Sequence, residues 1–228
     1  MITKIGMALT AGLAWAAWHK ANEPTRFQEI SVERINIVEP DGKLRLTISD
    51  ATRSPGWVFH GKPYPGRPHS AGMIFFNDEG EEDGGLTFAG RKVDGKYSAD
   101  GGLSFDQYDQ DETVKLLYDD ENGRTREGFF LTDRANIPLT DMIAKQDSLR
   151  GLPAGPARDS AIKAWAYNNG HPLAATRVAV ARDASKSAVV SLADPQGHPR
   201  LRLAVDSTGA ASIQFLDTEG HVTKSVTP

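Results

Sequence analysis

The densest chemistry-bearing residues are carboxylates in two short blocks. Asp78, Glu79, Glu81, Glu82 and Asp83 crowd one segment, and Asp106, Asp109, Asp111 and Glu112 crowd another. Hard oxygen donors at this spacing suit Ca²⁺, with Asp78, Glu79, Glu81 and Asp83 as the candidate metal ligands. The EF-hand template fails, because Glu79-x-Glu81-x-Asp83-Gly84 supplies its first half but Gly90 stands where the bidentate Glu belongs. Phe105, Tyr108 and Tyr118 interleave with the acids around the second block. Phe105, Asp106, Tyr108, Asp109 and Asp111 together offer apolar rings beside hydrogen-bonding groups, the makings of a ligand-binding face such as a carbohydrate site. A glycosidase could use the same residues, given two carboxyls about 5 to 9.5 Å apart in a cleft. The plain alternative is that the acids are solvated turn residues, Phe105 faces a core, and Tyr108 and Tyr118 cover a sheet edge.

Other chemistries lose their signatures. Gly61-Lys-Pro-Tyr-Pro-Gly66 has the glycine spacing of a phosphate loop, but it continues Arg67-Pro68, and its prolines remove amide donors. No Gly-x-Ser-x-Gly, His-Glu-x-x-His, Gly-x-Gly-x-x-Gly or cysteine pair occurs, which argues against serine hydrolase, zinc protease, dinucleotide and thiol chemistry. His60 and His69 flank the proline-rich loop and could approach each other; His198 and His221 follow turn glycines and read as exposed. Beyond calcium, no cofactor is expected.

The elements that must position these groups announce themselves by their turns. An acidic or polar residue, up to two spacers and a Gly recur at Glu39-Pro-Asp-Gly42, Asp78-Glu-Gly80, Asp94-Gly95, Asp100-Gly101, Asp120-Glu-Asn-Gly123, Asp194-Pro-Gln-Gly197, Asp206-Ser-Thr-Gly209 and Asp217-Thr-Glu-Gly220. Asp caps the turn backbone and Gly takes the left-handed conformation that closes a short bulged hairpin. Between tips, Leu44, Leu46, Ile48 and Leu201, Leu203, Val205 alternate with polar neighbours, the period of antiparallel strands. Met73–Phe76 and Phe129–Leu131 are apolar on both faces and belong centrally. Ile30 and Val32 are out of phase with Ile35 and Ile37, which a bulge near Glu33-Arg34 would explain. Residues 39–50 line up loosely with 194–206, as in a duplicated meander. Leu139, Met142 and Ile143, then Ile162, Trp165 and Ala166, fall at helical spacing around Gly151–Pro156, and Trp165 is expected to anchor this pair against the sheet rather than to stack on a ligand. The expected fold is therefore mainly β, an antiparallel meander of short hairpins, sandwich or barrel-like, with a small helical insertion and an N-terminal apolar helix. Its parts are a leader (1–21), an N-terminal β region (27–133), the insertion (138–170) and a C-terminal β meander (172–228).

The 228 residues carry a net charge of −4. Residues 77–121 hold fourteen acids against four bases, whereas 134–228 hold eight against eleven. This balance disfavours nucleic acid and leaves cations or basic surfaces as partners. Ile5–Trp18 contain no charge and are preceded by Lys4. Fourteen apolar residues fit a signal-peptide core better than a full span of about 20. Ala14-Trp15-Ala16 offers a small-x-small cleavage site, while the two Trp would suit an uncleaved membrane anchor. Both readings put the rest of the chain outside the cytoplasm, anchored to the inner membrane or exported to the periplasm or cell surface.

Glu33–Ser49, Ala71–Gly80, Gly84–Phe88 and Leu103–Gln110, in that order and followed by Arg200–Leu203 and Phe215–Gly220, resemble a family of uncharacterised bacterial envelope proteins. The resemblance implies a bacterial source and one intact architecture, and it supplies no catalytic residue. The functional expectation is a non-catalytic binding, scaffold or interaction module with an envelope protein or glycan as partner; the alternative is a carboxylate-dependent hydrolase of an envelope glycan.

Overall fold

In the computed structural model, residue 15 and residues 26–59, 62–64, 70–168, 171–183 and 185–228 are described. The leader call and the His60–His69 pairing fall outside these residues. Among the described residues, no helix is long and apolar enough to cross a membrane. Glu33–Pro228 form one compact unit, distinct from Met1–Val32.

Twelve strands of that unit make a single antiparallel sheet in which neighbours in sequence are neighbours in space. Its strands are β1 (Arg34–Val38), β2 (Leu44–Ser49), β5 (Ala71–Phe76), β6 (Glu82–Val93), β7 (Lys96–Asp106), β8 (Glu112–Glu121), β9 (Arg124–Arg134), β12 (Ala174–Arg182), β13 (Ala188–Ala193), β14 (Pro199–Val205), β15 (Ala211–Leu216) and β16 (Val222–Val226). Two small hairpins, β3 (Trp57–Phe59) with β4 (Lys62–Tyr64) and β10 (Tyr167–Asn168) with β11 (His171–Pro172), interrupt the meander. The connection from β9 to β12 also carries α1 (Leu139–Arg150) and α2 (Pro156–Trp165), the expected helical pair.

The tips form as their residues dictate. At the β5–β6 tip, Gly80 N–H donates to the Asn77 carbonyl at 3.0 Å with Gly80 at φ +84°, and Asn77 N–H donates to Glu81 at 2.8 Å. The same pair of bonds recurs at 39–43, 194–198, 206–210 and 217–221. The 183–187 tip has no glycine; Lys186 takes φ +64° in its place, and the Asp183 carboxylate accepts from the Ser185 and Ser187 amides.

Three expectations need correction. Asp100-Gly101 is not a tip: both residues lie inside β7, paired on one side with β6 and on the other with β8. The strands build neither a barrel nor a sandwich within one chain: β1 pairs only with β2 and β16 only with β15, so the sheet is open. The bulge lies between Ile37 and Val38, not at Glu33-Arg34, because the strand begins at Arg34 and leaves Ile30 and Val32 before it. The two β regions are halves of one sheet, joined where β9 pairs with β12.

Register sorts the side chains into two unlike faces. One row of cross-strand partners reads Ile35, Ile48, Met73, Leu86, Leu103, Leu116, Phe129, Val180, Val190, Leu203, Ile213, Val226, apolar on every strand. The row two residues along is the same save for Gly84 and Lys224, and over Gly84 the Phe75 and Phe105 rings stack at 6.0 Å. One residue out of phase, the opposite face reads Asn36, Thr47, Ile74, Gly85, Ser104, Lys115, Phe130, Ala179, Ser191, Arg202, Gln214, Ser225. Thr47, Ile74 and Phe76, among the best-buried sheet side chains, lie on this second face, which is also the face that α1 and α2 cover.

Candidate functional site

Because the chain runs as a meander, alternate tips gather at one end of the sheet, and both acidic blocks lie there on neighbouring hairpins. The Tyr108 hydroxyl joins them, donating to Glu79 Oε2 at 2.9 Å; that bond raises the Tyr108 pKa, with the charge of Glu79 adding to it. Tyr108 is otherwise exposed.

The calcium candidates are spread among protein partners. Asp78 pairs with Arg45 Nη1 at 2.7 Å, Glu79 accepts from Tyr108, and Glu81 is almost fully buried. Burial raises the Asp83 pKa, against the pull of Arg45. Among the described residues, the one trio of potential ligands whose donor atoms gather within 4.8 Å is Asp217, Glu219 and His221 at the last tip, where the Asp217 carboxylate already accepts from the Glu219 and His221 amides.

The second block divides between the faces. Phe105 points to the apolar face and is 48 % exposed beside Phe75, while its neighbours Ser104 and Asp106 line a cavity on the other face. Strand alternation thus separates Phe105 from the acids it accompanies in sequence. Tyr118 shares the apolar face, in a row with Phe88 and Gly101, and does not join the site.

The cavity, about 510 Å³, is where the chemistry concentrates. Its floor is the ends of three adjacent strands, carrying Glu82, Asp106 and Glu112 with Asp111 from the tip; Leu139, Met142 and Ile143 of α1 and Trp165 of α2 face them, and Trp57 and Phe59 of β3 complete the wall. The Trp57 and Phe59 rings are 6.4 Å apart, being two residues apart on one strand.

Gln110 holds this roof on. It is buried, and its Nε2 donates to the carbonyls of Ala135 at 3.1 Å and Ile137 at 2.8 Å, while its Oε1 accepts from the Asp111 amide. The Leu139 amide, at the start of α1, donates to the Asp109 carbonyl at 2.9 Å. The helix has no side-chain cap at Pro138, so the hairpin tip satisfies one of its otherwise orphaned donors.

Two of the acids are neutralised by cations. Lys115 Nζ donates to both oxygens of Glu112 at 3.0 and 2.7 Å, and Arg134 reaches Asp111 at 3.1 Å while its Nε donates to the Glu112 carbonyl. Asp106 has no such partner: its Oδ1 is shut from solvent without a hydrogen bond. Burial first, then the charges of Glu82, Asp111, Glu112 and Asp83, pushes its pKa up to about 8, so it is largely protonated at pH 7.

Of the expected binding residues, Asp106 and Asp111 line the cavity, Tyr108 and Asp109 belong to its supporting tip, and Phe105 is on the wrong face. Trp57, Phe59 and Gln110 have no counterpart among the expected residues, and Trp165, expected as a packing anchor against the sheet, lines the cavity. Trp57 and Phe59 at strand spacing, and Trp165 on a helix, were the available signals, but nothing local to either segment brings it to Asp106.

No protein-family model matches the chain, and no curated protein is significantly similar to it.

Proposed function

We propose that the chain is a non-catalytic binding module of the bacterial envelope whose acidic cavity takes a small organic cation, an amine or ammonium group with a polar tail. The observation that carries this is Asp106, half-buried in a cavity with aromatic walls, whose Oδ1 is shut from solvent without a hydrogen bond. A positive ligand offsets the mutual repulsion of Asp106, Glu82, Asp111 and Glu112, and Trp57, Phe59 and Trp165 supply ring faces to a cation. Placement outside the cytoplasm rests on the uncharged Ile5–Trp18 segment.

Binding a cation favours the ionised form of Asp106, so the ligand displaces its proton. Affinity then rises from pH 6 to about 8 and levels off above. The test is calorimetry with choline and ethanolamine, and with 3,3-dimethyl-1-butanol, the uncharged isostere of choline. Expected are proton release at pH 7, at least tenfold weaker binding of the isostere, and loss of choline binding in Asp106→Asn. Equal binding of choline and its isostere, or no binding of either amine, refutes the reading.

A hydrolase acting on an envelope glycan is the second reading, and the same protonated Asp106 favours it as a general acid near neutral pH. Against it, Glu112 and Asp111 are held by Lys115 and Arg134, so neither is poised to act as base or nucleophile. Reducing ends released from a chito-oligosaccharide by the wild type and not by Asp106→Asn would favour this reading. Calcium at Asp78, Glu79, Glu81 and Asp83 remains a separate proposal, tested by whether millimolar Ca²⁺ raises the melting temperature relative to a chelator.

A further inference from the structure

The apolar face of the sheet is open to solvent along its whole width. Leu116 is 55 % exposed, Phe88 58 % and Val180 47 %, at mid-strand positions that a sandwich would cover with a second layer. On the C-terminal half the face dips into a hollow of about 820 Å³ lined by Val180, Val190, Leu203, Val205, Ile213 and Val226. Its one charged cross-strand pair, Glu127 with Arg182, is neutralised internally.

We propose that a second copy of this chain covers this face, the two sheets packing across a two-fold axis into a sandwich with the helices on the outside. Area is the first reason. Twelve strands about 4.8 Å apart span about 53 Å, and three rows of side chains cover about 20 Å along the strands, giving on the order of 1,000 Å² per copy. A stable interface needs about 800 Å² per partner, and an apolar patch of this size exceeds what monomers leave exposed.

Total surface is the second reason. The chain exposes 15,710 Å², against about 10,000 Å² for a monomer of its 24.7 kDa mass. Crediting residues 1–32 with the entire surface of an unfolded chain, about 5,000 Å², leaves the rest of the protein about 1,500 Å² above its expected value.

Charge is the third. The tips at one end of the face carry Asp41, Asp78, Glu79, Asp217 and Glu219 among their residues, an acidic rim that repels anionic lipid. A two-fold arrangement needs no second complementary surface, because each copy presents the same rows.

A centred axis passes between β8 and β9, bringing Leu116 of one copy near Leu116 and Phe129 of the other. Facing sheets lie about 10 Å apart, beyond the reach of a disulfide but within that of a short bismaleimide. The chain has no cysteine, so single substitutions report cleanly. In the full-length protein, Leu116→Cys is expected to cross-link to a dimer, whereas Arg126→Cys, whose strand position faces the other side, does not. Sedimentation is expected to give twice the chain mass for the wild type and the single mass for Leu116→Lys/Leu203→Lys with its β-type circular dichroism retained. If that double variant does not fold, the paired cysteine variants decide alone. A monomeric wild type overturns the proposal, whether its own leader or added phosphatidylglycerol vesicles then prove to cover the face. Equal cross-linking from both cysteine positions overturns it too.

Discussion

Replacing Asp106 by Asn removes an ionisable group while keeping its shape. Unfolded, the carboxyl titrates near 3.8; folded, its pKa is pushed up to about 8. The folded state therefore holds a proton that the unfolded state has lost throughout the interval between. In that interval the wild type loses stability as pH rises, at up to 1.36 kcal/mol per pH unit. Across about four units the ceiling is about 5.7 kcal/mol. Water entering the cavity and movement of Lys115 toward the new charge reduce this, and about 2 kcal/mol in favour of the variant at pH 8 is expected. For a chain of this length that corresponds to about 4 to 8 °C in melting temperature. Below pH 4 the advantage vanishes, because the aspartate is protonated in both states. Urea unfolding of both proteins at half-unit steps from pH 4 to 9 measures the difference directly. Parallel stability curves between pH 5 and 8 would show that Asp106 titrates as an ordinary surface carboxyl and would remove the basis for the cation site.

Gly84→Ala is expected to destabilise by about 2 kcal/mol or more, because Gly84 has φ +124° and an added Cβ would meet the Ser104 carbonyl oxygen at 2.2 Å; thermal unfolding reads this. Gln110→Ala leaves the Ala135 and Ile137 carbonyls without their donor, so a loss of about 1 to 3 kcal/mol is expected, with faster hydrogen exchange confined to residues 135–173. For Asp206→Ala the effect depends on pH. Hydrogen bonds from the Thr208 side chain and the Ala210 and Thr208 amides hold the Asp206 pKa below its usual value. Its contribution is full above the unfolded pKa and is lost as pH falls through the lower folded pKa. The variant's melting temperature is therefore lower than wild type at pH 7 and converges with it in strong acid.

The turns were legible because each is a local device: an acceptor at the first position and a residue that tolerates positive φ before the strand resumes. The 183–187 and 107–111 tips lack the glycine that marks the others, Lys186 and Asp109 taking positive φ there, so the turn pattern does not reveal them. The helical pair was legible from spacing, and the acidic blocks from composition. Phe105 was misjudged because adjacent residues on a strand face opposite ways, so nearness to Asp106 in sequence implied separation in space. Trp57 carries no local signal of the site, and Trp165 reads from its helix only as a packing anchor, for both reach the cavity through connections that no local pattern encodes.

Alternation, turn chemistry and helical spacing thus determined by themselves that this chain is an antiparallel meander with a helical pair inserted between its N-terminal and C-terminal β regions. Only the tertiary structure decided that the strands stay in one open layer and that the helices roof one end of its polar face. It also decided that Asp106 lies beneath this roof among like charges, with its Oδ1 shut from solvent. These outcomes depend on long-range register and on what covers each face, which many non-local contacts set together and no short segment specifies.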